Sequence, residues 1–133
     1  MNGWLLDTNV IAELSKPHGT FRVRDWAAEQ DEDQLFLSIL TFGEYDKGLH
    51  HVLLDNPLRA RIAASIAALE ARFAGRILML SEPIVRRWGV VSGETKRLTG
   101  HSPPVIDTLL AATAIEHDLC LVTRNLRDRK SVV

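Results

Sequence analysis

The sequence predicts an α/β fold, a mainly parallel sheet of four to five strands covered by helices on both faces. Short apolar runs at Trp4–Leu6, Leu35–Ser38, Ile77–Leu80 and Leu119–Thr123 are hydrophobic on both faces instead of alternating. That is the pattern of strands buried from two sides. Segments with apolar residues at helical spacing separate these runs, and the alternation places the helices against the sheet. No internal repeat, low-complexity segment or long linker divides the chain, so residues 1–133 are expected to form a single domain.

Composition narrows the class. A chain of 133 residues with 46% hydrophobic and 25% charged residues is an ordinary globular length and balance. A net charge of −1 provides no global attraction to nucleic acid, so any such binding must come from a local basic patch. The lone Cys120 cannot form an internal disulfide, which fits a reducing compartment. The first apolar run is too short for a secretory leader and no run reaches membrane-spanning length, so the chain is read as cytoplasmic.

Trp4–Leu6 is read as a buried strand that delivers Asp7 at its carboxyl end. Thr8 is placed to cap a helix carrying Val10, Ile11 and Leu14, which Lys16–Pro17–His18–Gly19 breaks. Val23, Trp26 and Ala27 mark a second helix, and Gln30–Gln34 a solvated connection before the strand Leu35–Ser38. A helix beginning near Thr41 presents Phe42, Tyr45, Leu49, Val52 and Leu53 to a core until Asn56–Pro57 stops it. Leu58, Ile62, Ile66, Leu69 and Phe73 recur at helical spacing, with Gly75 at the left-handed position that follows. After the strand Ile77–Leu80, Ser81 and Pro83 start a helix carrying Ile84, Val85, Trp88 and Val91, which Gly100 ends. Pro103–Pro104 then open a helix with Ile106, Leu109, Leu110, Ala114 and His117 on one face and Asp107 in its first turn. Leu119–Thr123 is the last clear strand.

Three acids, Asp7, Glu44 and Asp107, are placed where strands give way to helices, an edge where α/β sheets bind ligands. Each has a structural role on its own. Asp7 suits an Asx turn, Thr41-x-x-Glu44 matches a capping box, and Asp107 suits a helix N-terminus. Together they raise a charge problem. Two carboxylates about 4 Å apart repel by roughly 4 kcal/mol at an effective dielectric near 20, whereas a cap contributes about 1 kcal/mol. A divalent cation resolves this, and all-oxygen ligands favour Mg²⁺ or Mn²⁺. The three acids are therefore expected to converge on an ion able to acidify water and grip a phosphodiester.

Other features carry less. His18, His50, His51, His101 and His117 show no metal-ligand spacing, Cys120 fits inert strand packing, and Trp4, Trp26 and Trp88 fall on core positions. No phosphate-binding glycine loop, nucleophile elbow or zinc pattern is present. Arg124, Arg127, Arg129 and Lys130 form a basic tail that reads equally as a solvated terminus or a phosphate-contacting patch.

The runs Leu5–Ile11, Leu37–Glu44, Pro104–Asp107 with Ala111–Ala114, and Leu121–Asn125 resemble the PIN-domain family, from Trp4 to about Asp128. Phe73–Leu78 is similar to its VapC-type toxin branch, near the FitB-like members. The resemblance implies a PIN-like three-layer α/β/α sandwich and a Mg²⁺- or Mn²⁺-dependent ribonuclease. It also implies a homodimer, a cognate VapB-type antitoxin, and contact with operator DNA only through the antitoxin complex. Carried over by motif, Asp7, Glu44 and Asp107 match the metal-ligating acids, and a fourth acidic position falls on Asn125 or Asp128. Thr8, Asn9, Thr123 and Asn125 are then expected to support the ligands, with the basic tail on RNA.

The chain departs from the family pattern in two places. Glu44 is followed by Tyr45–Asp46–Lys47–Gly48, so Asp46 either adds charge at the site or points away from it. Arg129 stands where an aromatic residue is expected, which leaves the fifth strand stunted or missing. Two other functions compete with the nuclease: a PIN-like interaction module without turnover, and a haloacid-dehalogenase-like phosphatase. The phosphatase requires a second acid two residues after Asp7, where this chain has Asn9.

Overall fold

The computed structural model describes residues 2–15 and 21–123, and the tail from Arg124 onward lies outside them. Its order is β1 (Trp4–Leu6), α1 (Thr8–Ser15), α2 (Phe21–Glu29), a 3-10 turn at Glu32–Gln34, β2 (Leu35–Ser38) and α3 (Ile39–His51). Then come α4 (Pro57–Arg72), β3 (Ile77–Leu78), α5 (Glu82–Thr99), α6 (Val105–Glu116) and β4 (Cys120–Val122). The described strands form one four-stranded sheet in the order β3-β2-β1-β4. Every pairing is parallel, with Trp4 opposite both Leu35 and Cys120, and Leu37 opposite Ile77.

Successive strand residues point to opposite faces, and the two cores divide accordingly. Leu6, Leu35, Leu37 and Val122 pack with Val10, Ile11, Val23, Phe42, Leu69 and Phe73 from α1 to α4. Leu5 packs with Leu110 and Ala114 of α6 on the other face, joined by Phe36 and Leu121. Helix α5 lies against α6, tied by an ion pair from Arg87 to Glu116. Because α6 is covered by the sheet and by α5, its small residues Ala112, Thr113 and Ala114 are all buried.

The elements follow local chemistry. Gly3 (φ 144) lets the chain enter β1 against the 3-10 turn that precedes β2, where a Cβ would lie 2.5 Å from the Gln34 carbonyl oxygen. Gly75 and Gly100 take the left-handed conformation (φ 82 at each) that their positions predict. At the amino edge of the sheet, Arg72 makes a two-pronged contact with Glu32, through Nε and Nη2, each at 3.0 Å. Arg76 adds a bond to the same carboxylate at 3.1 Å and one to the Leu35 carbonyl at 2.7 Å. Both guanidinium groups lie over the Phe73 ring, at 5.2 and 4.9 Å. The Phe73–Leu78 motif thus folds as a clamp that sets the register of β3 beside β2.

Four expectations need correction. Helix α3 starts at Ile39, not near Thr41, because the Ser38 hydroxyl accepts from the Leu40 N–H at 3.0 Å. Ser38 is therefore the cap, and Thr41 and Glu44 lie inside the helix. Thr8 is the first helical residue of α1, while the Asp7 carbonyl accepts the opening bonds from Val10 and Ile11. Strand β3 ends at Leu78, because its partner β2 ends at Ser38. Val52 and Leu53 fall beyond α3, and Leu53 is 75% exposed.

Candidate active site

In the strand order β3-β2-β1-β4 the chain runs outward from β1, then returns to its other side at β4. The order reverses between β1 and β4, and a crevice opens at the carboxyl ends of such neighbours. Asp7 and Thr123 stand on either side of it. The Asp7 N–H bonds to the Val122 carbonyl at 2.9 Å, extending the ladder one residue past β1. The Thr123 hydroxyl then donates to Asp7 Oδ2 at 2.6 Å, and both residues are buried. The bond fixes the carboxylate's orientation at the sheet edge.

The second acid is held from the next position along the chain. The Thr8 hydroxyl donates to Glu44 Oε1 at 2.6 Å and lies 3.2 Å from the Thr41 hydroxyl. With the Thr8 proton committed to Glu44, the proton in the longer contact belongs to fully buried Thr41. The result is a directed relay, Thr41 to Thr8 to Glu44, joining the start of α1 to α3. Sequence reasoning placed Thr41 in a capping box and so did not find its place in this relay. The signal was ambiguous, since the same spacing serves both roles.

Asp107 is in the first turn of α6, and Pro104 at the N-cap makes no side-chain cap bond. Its neighbour Ile106 lines an open groove of about 640 Å³ together with Leu40, Gly43, Glu44, Lys47 and His51. Asp107 itself faces a smaller cleft between α5 and α6, shared with Val91 and Thr95. Among the described residues, no three His, Cys, Asp or Glu side chains are grouped closely enough to hold an ion. Asn9 is exposed on α1. Asp46 lines a separate cleft with Phe42, Ile66, Glu70 and Met79, so it points away from Glu44. Arg124, Asn125, Arg127, Asp128, Arg129 and Lys130 lie outside the described residues.

The donor chemistry fits a hard cation. The side-chain groups of Asp7, Thr123, Thr8, Thr41 and Glu44 are all oxygens, with each carboxylate accepting from a threonine hydroxyl. Such a set suits Mg²⁺ or Mn²⁺, whereas a soft metal would call for sulfur or imidazole.

A parallel sheet in this order, with acids beyond its carboxyl ends, defines the class, and comparison with known proteins gives the family. The chain belongs to the PIN domain family, whose profile matches residues 4–130. It is 35% identical over 124 residues to Toxin FitB of Neisseria gonorrhoeae, covering 91% of this chain and 86% of that protein. It is 28% identical over 128 residues to VapC ribonuclease Y4jK of Sinorhizobium fredii, with the same coverage of 91% and 86%. Among solved structures, it superposes with a TM-score of 0.79 on a chain of FitAB bound to an IR36 DNA fragment. That pair shares 30% identity over 92% of this chain and 85% of the other. No helix among the described residues is long and apolar enough to cross a membrane.

Proposed function

We propose that the protein is a metal-dependent ribonuclease that hydrolyses RNA phosphodiester bonds as the toxin of a VapBC-type pair. The observation carrying this reading is the seating of Asp7 and Glu44 at one corner of the sheet, each oriented by a threonine hydroxyl. Asp7 and Glu44 would hold the ion, with Asp107 and Asp128 completing its surroundings. A bound Mg²⁺ or Mn²⁺ supplies a more acidic water and charge neutralisation at phosphorus. Thr123 and Thr8 keep the two carboxylates aimed. Arg124 and its basic neighbours would meet the phosphate backbone, a role that positions RNA without reading its sequence.

The partners follow from the relatives. Toxin FitB is one relative similar by sequence, and FitAB is a complex solved bound to DNA. We assign this chain a VapB-type antitoxin, a homodimeric state, operator contact through the antitoxin complex alone, and a cytoplasmic site of action. Purified protein is expected to cleave single-stranded RNA with Mg²⁺ or Mn²⁺, and Asp7→Asn to abolish cleavage with the fold intact. Full activity in that variant, with contaminating nuclease excluded, refutes the assignment. A module without turnover draws on the lack, among the described residues, of three acids grouped closely enough to hold an ion, and calorimetry decides it. Absence of Mn²⁺ binding at millimolar metal favours the module.

A further inference from the structure

The groove beside Glu44 has a construction that internal packing does not explain. Gly43 and Gly48 lie within α3, where glycine weakens a helix relative to alanine. A Cβ on either would meet nothing within 4 Å, so no contact within the described chain requires their absence of side chain. Both line the groove, whose floor is apolar through Leu40 and Ile106. Along its wall Glu44, Lys47 and His51 follow at spacings of three and four residues, on one face of the helix. His51 stands about 10 Å beyond Glu44 along the axis.

We propose that this groove seats the nucleobase and ribose of a single-stranded RNA nucleotide beside the scissile bond, with Lys47 against the adjoining phosphate. The inference rests on the ribonuclease reading and names the part of the substrate that this groove holds. An apolar floor with an imidazole on the wall suits a flat base, since unpaired RNA bases stack on such surfaces. The two glycines lower the wall so that the base approaches the helix backbone. The volume lies within the range of small-molecule sites. Charge selects this occupant over a second copy of the chain. A protein surface laid here would take Lys47 and Glu44 out of water, whereas a nucleotide brings its own anion to the lysine.

The test uses the full chain and two readouts. In the first, AMP, GMP, CMP and UMP are titrated at millimolar concentration in EDTA, with backbone amide shifts followed by NMR. Shifts centred on Gly43, Lys47, Gly48 and Ile106 support the proposal, and their absence overturns it. This readout needs no turnover, so it stands even where RNA cleavage, and with it the ribonuclease reading, fails. In the second, Lys47→Ala and Gly43→Leu are compared with wild type on single-stranded RNA. Each is expected to raise KM about tenfold, Gly43→Leu by blocking the base and Lys47→Ala by removing the phosphate contact, with kcat nearly unchanged. An unchanged KM in a folded Lys47→Ala overturns the proposal, whether or not Gly43→Leu folds. Loss of self-association in Gly43→Leu, with nucleotide shifts unaltered, also overturns it and assigns the groove to a second copy.

Discussion

The Thr123 hydroxyl donates to the Asp7 carboxylate at 2.6 Å, joining residues 116 positions apart at the two strand ends that frame the crevice. Thr123→Val keeps the shape and removes the donor. A hydrogen bond to a charged group is worth about 1.5–3 kcal/mol, and loss of a ligand's supporting partner typically costs about 10–100-fold in metal affinity or activity. Denaturant unfolding and Mn²⁺ calorimetry on the variant are expected to show both losses. Unchanged values in both would remove Thr123 from the site.

Ser38, not Thr41, is the cap of α3. Ser38→Ala is expected to lower unfolding stability by about 1 kcal/mol. Thr41→Val, by contrast, leaves the cap in place and breaks the relay to Thr8 and Glu44, so its larger effect falls on RNA cleavage. Chemical denaturation of both variants beside an RNA assay checks the split.

Glu32 supplies a pH signature. The hydrogen bond from Arg72 holds its carboxyl below the ordinary range, and Arg76 adds to this against the opposing effect of burial. A depressed folded-state value means the contribution is fully present above the unfolded carboxyl's range. It is lost as pH falls through the folded value. The side chain is 47% exposed, so the effect is modest and screened by salt. Glu32→Gln is expected to lower the Tm at pH 7, and the gap from wild type to close in acid. A gap that widens in acid contradicts this.

Burial pushes the Cys120 thiol up from its ordinary range, leaving it less thiolate at pH 8. Iodoacetamide is expected to label it slowly in the folded chain and readily in denaturant. Rapid labelling of folded protein would show that β4 opens.

Much of the fold was legible because its signals are local and strong. Trp4–Leu6 and Leu35–Ser38 are bounded as their apolar runs are, and Asn56, Pro57, Ser81 and Gly100 mark helix ends through chemistry readable from single residues. What escaped depended on neighbours. The apolar run Ile77–Leu80 says nothing of β2 ending at Ser38, which leaves Met79 60% exposed. Leu58 recurs at helical spacing with Phe73, yet only the carboxyl half of α4 reaches the sheet: Leu58 is exposed and Leu69 and Phe73 are buried. Trp88 reads as core, but it is only partly buried and its indole N–H has no hydrogen-bond partner among the described residues. At the site, Asp7 was legible from its strand. Thr8 and Thr123 entered as supporting residues only through the family resemblance, because residue spacing alone does not show that they reach Glu44 and Asp7 across distant sequence.

The Glu32, Arg72 and Arg76 cluster precedes the strands β2 and β3, whereas Asp7 and Thr123 follow β1 and β4. In a wholly parallel sheet these are opposite rims, separated by the length of a strand, about 10 Å or more. Substitutions so far apart without shared partners add independently. Robustness and chemistry are therefore tunable separately in this chain: a firmer lower rim can absorb the damage of altering the upper one.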